Sequence, residues 1–263
     1  MLFIDNFIVL EIFEPIYNVT YKNMKRFALI ILIVLFSIST WSGTKKIPLI
    51  GDKAPSFTEK STNGMLNFPE DFGNNWKILF SHPLDFTAVC TSELCGLAYN
   101  QKKFDAMGVK IAVISIDEID RHLLWKEFME KTMSEGSEAV EIDYPIVADV
   151  SGKVSKKYGM LHSSADDKRD VRGVFIIDPD NIVQSISFYP MSVGRNIDEI
   201  LRTVAALQLT EEENVLTPYN WEPGDDVLVP HKPYSTEELE QNPDLKNQYY
   251  NKGEFMWYKK MKK

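Results

Sequence analysis

Cysteine is scarce: Cys90 and Cys95 are the only two in 263 residues. Two thiols cannot build a disulfide framework and cannot fill a four-thiolate metal site. Each is therefore either buried ballast or chemistry. Their spacing is not C-x-x-C, which disfavours a disulfide reductase or oxidase. Histidine is equally sparse, and His82, His122, His162 and His231 lie at no metal-ligand spacing, so no metal or cofactor is called for. Basic charge is in deficit: Lys+Arg 29 against Asp+Glu 38 gives −9, so nothing draws the chain generally to nucleic acid. No apolar run reaches the roughly 20 residues of a membrane span. No nucleophile-elbow pattern supports a serine hydrolase. Repeats and low-complexity segments are missing. What remains is ordinary globular composition, 44% hydrophobic and 25% charged, in a chain long enough to bury a core.

The first 46 residues read differently from the rest. Lys25-Arg26 precedes FALIILIVLF (Phe27 to Phe36), and small and polar residues follow through Thr40, Ser42 and Gly43. A basic flank, a short apolar run and a small-residue exit describe a secretory signal. An uncleaved anchor taking in Ile38 and Trp41, or a buried helix, are the alternatives. The expected location is therefore exported, periplasmic or membrane-anchored, or cytoplasmic if the segment is no signal. Residues 1–23 are apolar but broken by Asp5, Glu11 and Glu14, and MKRFALIILIVLF from Met24 forms a complete signal start.

From Ile47 onward strand-like and helix-like pieces alternate. Trp76–His82 and Val109–Ile116 are buried-strand runs. Thr91–Phe104 has the apolar spacing of one helix, as does Ile119–Met133 through Leu123, Leu124, Phe128 and Met129. Tyr144–Asp149 is short and extended, and Gly152–Gly159 is a short helix or turn. Val174–Asp178 and Ile182–Tyr189 flank Pro179-Asp180-Asn181 as a hairpin. Asn196–Leu209 is an amphipathic helix. This order gives an α/β fold with a mixed central sheet flanked by helices. Residues 1–46 form an N-terminal extension, 47–209 the core, and 210–263 a proline-punctuated C-terminal arm, expected to lie extended on its own or a partner's surface. Its KKMKK end is a weak pointer to acidic lipid.

The chemistry concentrates in FSHPLDFTAVCTSELC, Phe80 to Cys95. A strand runs into a Pro-bearing loop, and Cys90 falls at the start of a helix. Unpaired N–H groups and the macrodipole favour an anion there, and a thiolate is such an anion. Thr87, three residues earlier, can bring a hydroxyl beside the sulfur.

Pro83-x-x-x-Thr87-x-x-Cys90 resembles the active-site motif of the peroxiredoxins. RGVFIIDP (Arg172–Pro179), FYPMSVGRNIDEILR (Phe188–Arg202) and TPYNWEPGD (Thr217–Asp225) resemble further family segments, so the likeness spans roughly residues 47–260. The wording FSHPLDFT and the long arm point to the one-cysteine, arm-extended subgroup. The resemblance implies a thioredoxin-like fold and a thiol-dependent peroxidase that reduces hydrogen peroxide and organic hydroperoxides through a cysteine sulfenic acid. It implies an antioxidant role, an external thiol reductant, either a thioredoxin-like protein or a small thiol, and a homodimer or higher ring. Cys90 would be the peroxidatic thiolate. Arg172 would stabilise it and hydrogen-bond the peroxide, Thr87 would donate to, and orient, the sulfur and the substrate oxygens, and Pro83 would shield the oxidised sulfur. Glu93 and Arg195 would support them, with Glu93 steering the arginines. His82 aligns with a subgroup histidine, against a purely structural role at a strand end. A non-catalytic oligomeric holdase or scaffold is the competing reading, and peroxide consumption separates the two.

Three departures from the family are visible. Ala88 stands where a proline is usual. Thr217 occupies the region where a two-cysteine member has its resolving cysteine. Gly73-Asn74-Asn75-Trp76-Lys77 lacks the serine of a lipase-type G-x-S-x-G, so no phospholipase activity carries over. Cys95 has the spacing of a resolving thiol in another subgroup. On an ideal helix its Cα lies roughly 8.6 Å from that of Cys90, beyond disulfide reach without unwinding. A resolving thiol and a small buried residue both remain open here. At the other end of the chain, intact-mass measurement and N-terminal sequencing of the expressed protein are expected to place the start at Met24; a precursor retaining Met1 refutes that start.

Overall fold

The computed structural model describes residues 47–135, 138–166 and 168–261. The signal-like segment, Met24 and the last two lysines lie outside these residues. Residues 47–263 form one compact unit. Among the described residues no helix is long and apolar enough to cross a membrane.

Seven strands build the central sheet: β1 (Phe57–Ser61), β2 (Gly64–Phe68), β3 (Trp76–Ser81), β4 (Val109–Ser115), β7 (Ile146–Ala148), β8 (Arg172–Ile177) and β9 (Val183–Tyr189). Two short strands, β5 (Ser134–Glu135) and β6 (Glu138–Ala139), pair separately. The order is β2-β1-β7-β4-β3-β8-β9. β3, β4 and β7 run parallel, while the β1–β2 and β8–β9 hairpins flank them antiparallel. The central runs are buried along their length because both faces are covered. Alternation then sorts their side chains. Ile78, Phe80, Ile111, Val113, Val174 and Ile176 enter one core; Leu79, Ala112, Ile114, Phe175 and Ile177 enter the other. Even Lys77 is fully buried, and its Nζ donates to the Asp178 and Pro179 carbonyls.

Helices α1 (Ala88–Tyr99), α2 (Gln101–Ala106), α3 (Ile119–Thr132), α4 (Lys153–Lys157) and α5 (Ile197–Glu213) complete the core. The single helix expected over 91–104 is two helices. It begins at Ala88 and breaks at Asn100, whose side-chain amide donates to the Gly96 carbonyl 2.8 Å away. Such local bonding competes with helix continuation. α5 starts where Asn196 accepts from the Glu199 N–H and runs to Glu213, four residues past the 209 boundary read from sequence, where Asn214 ends it in the left-handed conformation.

α3 corrects the expected face. Its buried residues are His122, Trp125 and Met129, whereas Leu123, Leu124 and Phe128 are exposed. The arm is also more structured than an extended strap. β10 (Val227–Val229), β11 (Tyr249–Asn251) and β12 (Trp257–Lys259) form a small sheet. Two short helices, α6 (Thr236–Gln241) and α7 (Leu245–Gln248), lie between its strands, and α6 opens with a Ser235/Glu238 capping box. Trp221, Val215 and Val227 seat the arm against Ala205, Ala206 and Leu209 of α5.

The two sides of α3 give a direct check. Met129→Ala is expected to cost about 2–5 kcal/mol for the lost methylenes and the cavity. Leu124→Ala, at an exposed position, should stay within about 0.5 kcal/mol. Urea-unfolding midpoints compare them, and equal losses would contradict the observed facing.

Candidate active site

Cys90 is the third residue of α1 and is completely buried. The preceding β3 is parallel to β4 and ends at Ser81, so the chain leaves the sheet at its carboxyl edge and must turn back into the helix. Residues 82–87 make that turn. Pro83 is buried. Phe86 takes the left-handed conformation (φ 59°), a strained choice for a bulky residue. Thr87 is extended at the helix N-cap position. Its hydroxyl donates to the Leu84 carbonyl at 2.9 Å, which corrects the expected donation to the sulfur: here the proton is committed to the loop. The first turn of α1 points its free N–H end toward the sulfur's surroundings, which favours negative charge there.

Arg172 opens β8, the strand next to β3 in the sheet, and β3 leads into the helix that carries Cys90. Its Nη1 lies 3.4 Å from Cys90 Sγ and 2.6 Å from Glu93 Oε2. Nε and Nη2 donate to the Met191 carbonyl, which fixes the guanidinium plane. Glu93, one turn after Cys90, also receives Arg195, through its backbone N–H, Nε and Nη2 at 2.8–2.9 Å. Arg195 donates Nη1 to the Gly173 carbonyl and stacks on the Phe80 ring. All four side chains are buried. Burial pushes the Glu93 carboxyl up, but the Arg195 and Arg172 bonds outweigh it and hold the group below the ordinary glutamate value. Burial also lowers Arg195, to about 10, against the opposing pull of Glu93. One carboxylate facing two guanidiniums leaves net positive charge, and it is Arg172 that presents this charge to the sulfur. Gly173 suits the close packing here: a Cβ would sit 3.1 Å from both Phe188 and the Ser81 hydroxyl and would push them aside by a few tenths of an ångström.

His82, Asp85 and His122 form a second buried group. His82 Nε2 is 2.7 Å from Asp85 Oδ1, His122 Nδ1 is 2.7 Å from Asp85 Oδ2, and His122 Nε2 is 3.2 Å from the Val147 carbonyl. Two histidines unrelated by sequence spacing thus meet on one carboxylate. The cluster has the residue types of a metal site. Its nitrogen–oxygen distances are nevertheless those of direct hydrogen bonds, and each carboxylate oxygen already has its partner. From sequence His82 stands out and His122 is set aside among scattered histidines, because no local pattern links residues 37 positions apart; Asp85, three residues after His82, goes unnamed although it is the shared partner.

Cys95 lies on the same unbroken helix as Cys90, and both thiols are free. Burial pushes the Cys95 thiol up from its ordinary value. It packs into the core and touches a groove of about 650 Å³ that is also lined by Phe86, Thr87, Thr91, Phe128 and Met133.

A buried cysteine at a helix start, held by a guanidinium on a mixed thioredoxin-like sheet, defines a thiol-based oxidoreductase. Comparison with known proteins narrows the class. The AhpC/TSA family matches residues 50–186, and the C-terminal domain of 1-Cys peroxiredoxin matches residues 206–242. A peroxiredoxin of Methanosarcina mazei is 46% identical over 185 residues, covering 70% of this chain and 84% of that protein. One of Thermotoga maritima is 41% identical over 189 residues, covering 70% and 85%. A yeast mitochondrial 1-Cys peroxiredoxin, described for its thiol resolving mechanism via glutathione/thioredoxin systems, superposes with TM-score 0.71 at 33% identity over 81% of this chain and all of that one. A cysteine-to-serine mutant of peroxiredoxin 6 of Arenicola marina gives TM-score 0.71 at 34% identity over 82% and 99%. The chain belongs to the AhpC/TSA family of peroxiredoxins and is a thiol peroxidase.

The Glu93 bridge predicts an acid-sensitive stability. A carboxylate whose folded value is depressed contributes above its unfolded value, about 4.3, and loses that contribution as pH falls through the folded value. Glu93→Gln also leaves two buried guanidiniums without a counter-charge, at an expected cost of about 3–5 kcal/mol near neutral pH. Urea unfolding at a series of pH values should show a lower plateau and a flatter acid limb than wild type. An unchanged plateau would mean that the bridge contributes nothing.

Proposed function

We propose that Cys90 is the peroxidatic cysteine of a one-cysteine cycle in which Cys95 takes no part. The observation that carries this reading is the 3.4 Å contact of Arg172 Nη1 with the buried Cys90 sulfur, held in place by Glu93. The Cys90 thiolate attacks the distal oxygen of the peroxide, the O–O bond breaks, and Cys90 becomes a sulfenic acid. The displaced hydroxide or alkoxide takes up a proton. Arg172 stabilises both the thiolate and the charge that develops on the leaving oxygen, as a preorganised donor does. Pro83 limits access to the oxidised sulfur. The Thr87 hydroxyl, donating to Leu84, braces the loop that leads into Cys90. Arg195 acts through Glu93. Phe80 and Phe86 give the surroundings an apolar character that suits alkyl hydroperoxides beside hydrogen peroxide.

An external thiol closes the cycle. One thiol condenses with the sulfenic acid to a mixed disulfide and water, and a second thiol releases Cys90 and leaves as the disulfide. The thiol resolving mechanism of the yeast relative, via glutathione/thioredoxin systems, supports this kind of reductant. Cys95 is a poor competitor: burial disfavours its thiolate, and its place on the same continuous helix keeps it out of disulfide reach.

The assembly we propose is a homodimer or a higher ring. Strand β9 stands at the end of the sheet order; Gly51 and Asp52 pair with its first residue, Val183, and beyond Val183 no strand among the described residues pairs with its outer edge, which is a template for a second copy. Export is proposed on the sequence of residues 24–43 alone.

Peroxide consumption with dithiothreitol tests the cycle. Wild type and Cys95→Ser are expected to turn over within about twofold of each other, as for a substitution of a small buried residue off the reaction path. Cys90→Ser should be inactive. If Cys95→Ser instead over-oxidises readily and peroxide-treated wild type shows a Cys90–Cys95 disulfide by mass spectrometry, the one-cysteine cycle is wrong.

A further inference from the structure

The loop that delivers Thr87 and Cys90 must be held against its own strain. Phe86 is left-handed, exposed and bulky, and nothing in its backbone preference keeps it there. The residue before it is anchored by every polar group it has. The Asp85 N–H donates to Asp117 Oδ2 at 3.0 Å, and its carbonyl accepts from Arg121 Nη2 at 3.0 Å. Its two carboxylate oxygens meet His82 and His122 at 2.7 Å each. These partners belong to three different elements: His82 follows the end of β3, Asp117 follows β4, and Arg121 and His122 sit on α3. His122 is itself tied by Nε2 to the carbonyl of Val147 on β7. Asp85 therefore pins the loop to the sheet edge and to α3 at once. The side chain is fully buried. Burial alone would raise its carboxyl, but the bonds from His122 and His82 outweigh this and hold it down to about 2. Burial lowers His82 below its ordinary value, against the opposing pull of Asp85. A carboxylate oxygen only accepts, so His82 donates to it through Nε2–H.

Resting on the peroxidase reading above, we propose that Asp85 is a positioning residue for the peroxide reaction, clamping the catalytic loop between β3 and α3 through His82 and His122. It does not touch the reacting sulfur. It sets where Thr87 lies and how α1 begins, and so where the peroxide meets Arg172 and the sulfur. Reaction with peroxide, which needs that constellation, depends on the clamp. Alkylation of the sulfur by iodoacetamide, which needs only an ionised and reachable thiol, does not.

The test compares both reactions of Cys90 at one pH in purified wild type, Asp85→Ala, Asp85→Asn and His122→Leu. Asparagine keeps the clamp without the charge, since its oxygen accepts from His82 and its amide donates to His122 Nδ1. Asp85→Ala is expected to lose about a hundredfold in the second-order rate constant for hydrogen peroxide, the scale of a small misplacement of reacting groups. Its alkylation rate should stay within about threefold. His122→Leu, which removes one of the two carboxylate bonds and keeps the other, should lose roughly tenfold on the same scale and stands in if the alanine variant does not fold. Asp85→Asn should recover to within about fivefold of wild type on that scale. A peroxide rate unchanged in Asp85→Ala or His122→Leu overturns the proposal, and so does an Asp85→Asn as slow as the alanine variant. Peroxide and alkylation rates that fall together show general damage and also overturn it. One equivalent of zinc in the purified protein by elemental analysis would replace the clamp with a metal site. Wild type that is alkylated yet never oxidised by peroxide would instead sink the underlying peroxidase reading.

Discussion

The contact on which the active site depends is between Glu93 and two guanidiniums. A buried carboxylate with one arginine would satisfy itself and leave nothing over. With Arg172 on Oε2 and Arg195 reaching both oxygens, the group keeps a net positive charge in a dry place. Electrostatic interactions are stronger there than in water because little solvent screens them. Arg172 aims Nε and Nη2 at the Met191 carbonyl, which fixes the guanidinium plane, and the two N–H groups of Nη1 are left to serve Glu93 and the sulfur. The cost of burying three charges is met by mutual pairing, by backbone carbonyls and by the Phe80 ring under Arg195.

This arrangement explains the small residues and the sheet order around it. Gly173 lets β8 pass close to Phe188 and the Ser81 hydroxyl, which itself ties β3 to the Val171 carbonyl. Because β8 is next to β3, Arg172 comes within reach of the helix that follows β3. Cys90 is thereby flanked by two buried carboxylates with different work. Glu93, on the helix, sets charge. Asp85, in the loop, sets position. Both are held ionised by cationic or hydrogen-bonding partners that outweigh burial.

Much of this was legible in the chain. Trp76–Ser81 is a strand because its run is short and mostly apolar, Val109–Ser115 because it is rich in β-branched residues, and burial on both faces matches such runs. The helix start at Cys90 follows from the proline loop and the change of period after it. Arg172, Glu93 and Arg195 came from the family resemblance of their segments, and the fold brings all three to Cys90. Other features left no local mark. The outward facing of Leu123, Leu124 and Phe128 reverses what helical spacing suggests, because α3 turns toward the sheet the face that carries His122 and Trp125. The break at Asn100 depends on a side-chain bond that helical periodicity does not register. The arm's strands are three residues each, too short to show alternation.

By itself the sequence determined which segments could be strands or helices, where a thiolate would be favoured, and what family the motif resembles. These rest on interactions within a few residues: alternation, capping, the macrodipole and turn chemistry. Only the tertiary structure decided which charges meet. Arg172 lies 79 positions from Glu93, Arg195 lies 102, and His122 lies 37 from Asp85. No local preference relates residues so far apart. They are joined because the sheet order sets β8 beside β3 and α3 across its edge, and a buried charge is stable only where such an order supplies its partner.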